Sequence, residues 1–192
     1  MSPSPRPGDV FPLPPEIQPK EAGVLILLFP RGDDLGFFLT RRTDTVENHK
    51  GQISLPGGAQ EKGESLEQTA VRETCEELSV DLARVQIVGG PLTPVYIPVS
   101  GFRATAYVAF TPVHPVVTPE PGEVVEIIEM PLDMLVDEKT IEEEIWELHD
   151  RHARVPFFSV NGHKVWGATA MILGEFAVML RQAQVGVQHG VS

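Results

Sequence analysis

The stretch Gly58 to Val80, GAQEKGESLEQTAVRETCEELSV, constrains this chain more than any other. A glycine is followed six positions on by Glu64, and after a seven-residue gap by Arg72-Glu73 and Glu76-Glu77. The segment opens on the turn run Leu55-Pro56-Gly57-Gly58. Ser65, with Gln68 three residues later, forms the signature of a capping box and starts a helix that ends near Ser79. On a wheel of about 100° per residue, Leu66, Ala70, Val71, Thr74, Cys75 and Leu78 share one half, and Glu73, Glu76 and Glu77 crowd an adjacent arc. Carboxylates at i, i+3 and i+4 repel one another, and here they sit in the last turns, where the helix dipole disfavours negative charge. A bound cation would relieve both penalties. An ordinary solvated acidic helix would not require five fixed positions behind a glycine-rich entry.

This pattern resembles the box of the Nudix hydrolase superfamily, Gly-x5-Glu-x7-Arg-Glu-U-x-Glu-Glu-x-Gly-U, where U is apolar. Gly58, Glu64, Arg72, Glu73, Glu76, Glu77 and Val80 match it. Thr74 departs from the aliphatic preference, and its methyl can still pack. Ser79 replaces the last glycine, a substitution that works against the usual left-handed helix exit. Upstream, Leu39-Thr40-Arg41-Arg42-Thr43 and then His49-Lys50-Gly51-Gln52-Ile53-Ser54-Leu55-Pro56-Gly57-Gly58 resemble the motif of the coenzyme A pyrophosphatase subfamily. That motif reads roughly Leu-Leu-Thr-x-Arg-Ser, a short gap, and His-x-Gly-Gln-Val-Ser-Phe-Pro-Gly-Gly, with Leu55 here in place of phenylalanine. Arg41, Arg42, His49, Gly51 and Gln52 are therefore the candidate substrate contacts. Guanidinium forks suit phosphate, and Gly51 lets backbone approach a ligand. If Arg41 and Arg42 lie on a strand they face opposite ways, and Arg41 is the expected phosphate contact.

The resemblance implies an α/β Nudix fold, a mixed β-sheet sandwiched between α-helices, over about Ala22 to Leu180. Glu123-Val124 leading to Met130-Pro131-Leu132, and Val165 to Ala170, look like later segments of the subfamily. It also implies Mg²⁺ or Mn²⁺ held by Glu73, Glu76 and Glu77 with a backbone carbonyl of Gly57 or Gly58, hard oxygen donors suited to either ion. Arg72 orients Glu76, and Glu64 supports the loop. Glu73, Glu77, Glu120 and Glu123 remain open as general base. The implied reaction is cleavage of coenzyme A, or its acyl or oxidised forms, into 3′,5′-ADP and 4′-phosphopantetheine. The alternatives are another nucleoside diphosphate derivative such as ADP-ribose or a dinucleoside polyphosphate, and a silent nucleotide-sensing domain. Three crowded carboxylates argue against the silent domain.

Composition sets the outer bounds. At 192 residues and 42% hydrophobic content the chain builds one domain with a sizeable core. With 27 acidic against 15 basic side chains, a net charge of −12 excludes tracking along nucleic acid but admits a small anion met by metal and a few arginines. Cys75 is the only cysteine, which leaves no disulfide framework and suits a reducing compartment. The apolar run Val24 to Phe29 is too short to span a bilayer. A cytoplasmic enzyme on a small-molecule substrate is expected, monomeric or homodimeric, without nucleic-acid or membrane partners. The first 20 residues hold seven prolines and read as an extended arm, residues 21–184 as the catalytic domain and 185–192 as a tail with no peroxisomal address.

Strands are expected at Gly23 to Phe29, Phe37 to Arg41, Gln52 to Leu55, Val85 to Val88, Phe102 to Phe110, Val124 to Met130, Phe157 to Val160 and His163 to Trp166. Asn161-Gly162 forms a hairpin turn between the last two. A helical turn at Pro131 to Val136 and a helix at Ala168 to Gln184 complete the reading, with Gly89 to Gly101 as a loop.

Overall fold

In the computed structural model, the described residues are 18–43, 51–81, 85–148 and 151–189. The arm expected in the first 20 residues therefore lies almost wholly outside them, as does His49. Eight strands form one mixed sheet: β1 (Lys20–Arg31), β2 (Asp34–Arg42), β3 (Ile53–Ser54), β4 (Gly57–Ala59), β5 (Gln86–Gly89), β6 (Val95–Ile97), β7 (Phe102–Phe110) and β8 (Val124–Pro131). A smaller antiparallel sheet holds β9 (Ile141–Leu148), β10 (Arg151–Val160) and β11 (His163–Val165). The helices are α1 (Leu66–Leu78), α2 (Leu132–Val136) and α3 (Gly167–His189), with a single 3-10 turn at Glu138–Thr140.

The core explains the order of layers. Strand β1 is apolar on both faces and runs parallel to β7, from Lys20 opposite Phe102 to Leu28 opposite Phe110. Its Leu25, Leu27 and Phe29 pack with Phe38, Ala70 and Leu78 on the α1 side. Its Ile26 and Leu28 pack with Phe37, Leu39, Leu173 and Phe176 on the α3 side. A strand buried on both faces reads as a continuous apolar run, and truncating one such leucine to alanine costs about 2–5 kcal/mol. The sheet sandwiched between helices is thus the expected α/β Nudix architecture.

Along one edge β1 changes partner. Phe29 to Arg31 pair with β2, whereas Ala22 to Val24 pair with Ala59 to Gly57 of β4. Gly23 makes the seating of α1 possible, since a Cβ there would stand 2.2 Å from the carbonyl oxygen of Leu66. The turn expected at Gly57-Gly58 is consequently a short strand, laid against β1 by these backbone bonds.

Other elements depart from the sequence pattern for identifiable reasons. Strand β6 sits inside the expected loop 89–101, paired antiparallel with Ala104 to Phe102 of β7. Strand β9 carries Glu142, Glu143, Glu144 and Glu147, a composition that hides a strand. It pairs with β10 along its full length, which extends β10 back to Arg151. Trp146 contributes by stacking edge-on against Trp166 with ring centroids 4.6 Å apart. Helix α3 continues to His189, past the expected end at Gln184 and into the residues read as a tail. Among the described residues, no helix is long and apolar enough to cross a membrane.

Candidate functional site

Helix α1 begins as its sequence demands. Gln68 N–H donates to Ser65 Oγ (3.2 Å), and Ser65 N–H donates to Gln68 Oε1 (2.8 Å), closing the capping box. Its exit is left-handed despite the missing glycine: Ser79 adopts φ 48° and ψ 45°, and Val80 N–H donates to Cys75 O (3.1 Å). The expected obstacle at Ser79 is overcome by hydrogen bonds and by loop contacts beyond the helix. Thr118 N–H donates to Leu78 O (2.8 Å) and Glu120 N–H to Glu77 O (3.0 Å), satisfying two terminal carbonyls. Thr74 is fully buried, its hydroxyl donating back to Ala70 O at 2.7 Å.

The acidic arc divides into two environments. Glu77 is not on an exposed edge but in the packed face, only 2% exposed. Gly57 N–H donates to its Oε2 at 3.2 Å, and Arg42 Nη1 stands 3.6 Å from its Oε1. Burial pushes the Glu77 carboxyl up to about 7, against the opposing pull of Arg42 and the Gly57 N–H, with Glu123 and Glu73 adding to the rise. Glu73 is likewise raised, chiefly by burial, with Glu76 and Glu123 contributing and Arg72 opposing. Gly58 provides the room for Glu73, because a Cβ at that position would meet the Glu73 carboxylate at 2.3 Å. The box glycine is thus explained by a close approach.

Arg72 gathers the other carboxylates. Its Nε and Nη2 donate to Glu64 Oε2 (3.1 Å) and Oε1 (2.8 Å), its Nη1 donates to Glu73 (2.8 Å) and Glu76 (3.0 Å), and Nη2 also reaches Ala59 O (3.2 Å). Glu64 accepts further bonds from Glu61 N–H (2.7 Å) and Thr69 Oγ1 (2.9 Å). Arg72 first, and the Glu61 N–H second, hold the Glu64 carboxyl down at about 2. Glu64 therefore ties the loop to the helix, as expected. Glu76 is the most solvent-exposed of the box acids at 60%.

Arg41 and Arg42 face opposite sides of the sheet. Arg42 turns to Glu77, whereas Arg41 donates from Nε to Glu126 Oε2 (2.9 Å), and Glu126 also meets His163 Nε2 at 3.3 Å. The alternation expected of a strand holds, but the arginine facing the buried carboxylate is Arg42. The spacing Thr40-x-Arg42 carries the signal that points to it. Gly51 sits in a turn at φ 62°, and the Gln52 carbonyl after it accepts from Arg42 N–H at 3.1 Å, which anchors the end of β2. His49 has no described position. Glu123 is exposed in the loop before β8, where its charge raises both Glu73 and Glu77. Glu120 is exposed in the same loop.

No three acidic, histidine or cysteine side chains form a ready-made cation cage among the described residues. The donor chemistry nevertheless fits a hard divalent ion. All the side-chain donors are carboxylate oxygens, and Glu77 and Glu73 carry a burial cost that positive charge would remove.

The sequence matches the NUDIX domain family over residues 19–152. It is 36% identical over 182 residues to Nudix hydrolase 22, chloroplastic, of Arabidopsis thaliana, covering 88% of this chain and 58% of that protein. The chain thus spans under two thirds of the plant relative's length. It is 33% identical over 174 residues to the uncharacterised Nudix hydrolase NudL of Pectobacterium atrosepticum, covering 88% of each. Among solved structures, a C. elegans Ap4A hydrolase in a binary complex superposes with a TM-score of 0.59 at 15% identity, covering 85% of this chain and 98% of that one. RenU, a Nudix hydrolase of M. smegmatis, gives 0.55 at 18% identity over 90% and 89%. Those two likenesses concern the fold. Nudix hydrolases act on nucleoside diphosphate derivatives and generally need divalent metal ions. The family match encloses β4 with Gly57 and Gly58, the whole of α1 and the loop docked on its end, and so this chain belongs to the Nudix hydrolases, which cleave phosphoric anhydrides.

Proposed function

We propose that this chain is a Mg²⁺- or Mn²⁺-dependent pyrophosphohydrolase that cleaves the diphosphate of coenzyme A to 3′,5′-ADP and 4′-phosphopantetheine. The observation that carries the chemistry is Glu77, a buried carboxylate one helical turn from Glu73, held between the Gly57 N–H and Arg42. Coenzyme A as substrate rests on the motif His49-x-Gly51-Gln52-Ile53-Ser54, followed after Leu55 by Pro56-Gly57-Gly58.

Glu73, Glu76 and Glu77 would hold the ion. When bound, it supplies positive charge against the diphosphate oxygens and makes water more acidic. Arg72 keeps Glu73 and Glu76 oriented, Arg42 offsets negative charge beside Glu77, and Gly58 leaves the Glu73 carboxylate its place. Glu123, exposed and close enough to influence both carboxylates, accepts the proton of the attacking water. The water oxygen bonds to one phosphorus while the bridging P–O bond breaks, and the leaving phosphate keeps the bridging oxygen.

The test is product analysis of purified protein with Mg²⁺ or Mn²⁺ and a panel of coenzyme A, acetyl-coenzyme A, ADP-ribose and a dinucleoside polyphosphate. Coenzyme A is expected to give 3′,5′-ADP with the highest kcat/KM. A clear preference for ADP-ribose or the dinucleoside polyphosphate would move the chain to another Nudix specificity, and no turnover of any of them would overturn the reading.

A further inference from the structure

The loop that brings Glu123 to the carboxylates, residues 111–123, is exposed at Pro112, Val113, His114, Val116, Thr118, Glu120 and Gly122 and has no regular secondary structure beyond turns. A loop of this kind places a side chain only if something fixes its backbone. Two anchors were described on its helix side, the amides of Thr118 and Glu120 on the last carbonyls of α1. A third lies on the opposite side, at the end of β2. Thr43 N–H donates to Glu123 O at 3.0 Å, and Thr43 Oγ1 donates to Gly122 O at 3.4 Å. Thr43 is itself buried at 8% exposure, so its own position is set by packing.

The strand register shows why Thr43 meets Glu123. Arg41 lies opposite Glu126, but Arg42 lies opposite Val124, so β8 carries one extra residue at this point. In regular pairing Thr43 would face Val124, and the acid would stand one residue farther along the loop. The bulge moves Glu123 up to Thr43. Bulges of this kind re-aim side chains beside functional sites and end strand pairing. Arg42 and Thr43 are consecutive, so one corner of the chain sets both the cation against Glu77 and the backbone of the loop acid.

We propose that Thr43 is a positioning residue, whose amide and hydroxyl hold Glu123 beside Glu73 and Glu77. The proposal rests on the reading above that Glu123 takes part in hydrolysis, and the test separates the two. Wild type, Thr43→Ser, Thr43→Val, Glu123→Gln and the double variant Thr43→Val/Glu123→Gln are assayed on coenzyme A with Mg²⁺. Thr43→Val keeps shape and amide but removes the hydroxyl, and is expected to lower kcat about fivefold with KM little changed. Thr43→Ser restores wild-type turnover. In the Glu123→Gln background, Thr43→Val has no further effect, because the residue acts through that acid. Hydrogen–deuterium exchange on the metal-free proteins gives a readout independent of turnover: peptides covering residues 118–124 exchange faster in Thr43→Val than in wild type or Thr43→Ser, while α1 is unchanged. An equal loss from Thr43→Val in both backgrounds, or unchanged exchange in the loop, would overturn the proposal. Wild-type activity in Glu123→Gln would instead overturn the role of Glu123.

Discussion

Replacing Glu77 by glutamine should make the metal-free protein more stable while removing its activity. The native side chain is 2% exposed, and burial carries its carboxyl from 4.5 to about 7. At about 1.36 kcal/mol per pKa unit, the ionised carboxylate costs the folded state about 3 kcal/mol relative to the unfolded chain. The folded protein holds the proton more tightly, so between about pH 4.5 and 7 it binds more protons than the unfolded chain and stability falls as pH rises. The favourable contribution is complete below the lower value and gone above the upper one. Glutamine keeps the shape and carries no charge. Glu77→Gln should therefore match wild type near pH 4 and exceed it at pH 8 by up to about 3 kcal/mol, roughly 6–12 °C in melting temperature for a chain of this size. Thermal denaturation followed by circular dichroism, in a chelator and across pH 4 to 8.5, measures the difference directly. Added Mg²⁺ should raise the melting temperature of wild type and leave the variant almost unmoved. A variant less stable than wild type at pH 8 without metal, or a gap independent of pH, would refute the argument that Glu77 is a strained buried anion.

Arg42→Ala should reduce kcat/KM for coenzyme A at least tenfold more than Arg41→Ala, because only Arg42 faces Glu77; steady-state kinetics on both variants measures the asymmetry. Gly58→Ala should displace the Glu73 carboxylate and cut turnover tenfold or more with an unchanged melting temperature, since the clash is with the end of a side chain. Gly23→Ala, which meets the Leu66 backbone, should instead destabilise the fold by about 3 kcal/mol in a urea titration. His49→Ala should lower kcat/KM more for coenzyme A than for ADP-ribose, and an equal loss on both substrates would remove its part in selectivity.

What the sequence determined was whatever is encoded locally. The capping box at Ser65 and Gln68, the apolar face of α1, the continuous apolar run of β1 and the Asn161-Gly162 turn all act within a few residues, and each is present in the fold. The spacing of Glu64, Arg72, Glu73, Glu76 and Glu77 likewise announced a common site, because helix periodicity alone puts Arg72 one turn from Glu76 and Glu73 one turn from Glu77. The wheel did not reveal that Glu77 belongs to the packed face. Its burial depends on β4 and Arg42 arriving from elsewhere, and a glutamate bears no mark of the partners it will meet. The same reason hid β4, β6 and β9, whose residues become strands only because β1, β7 and β10 offer them unpaired backbone groups. It also hid the meeting of Thr43 with Glu123, decided by strand register and by one extra residue in β8. Register is a property of two strands far apart in the chain, and only tertiary structure brings them together.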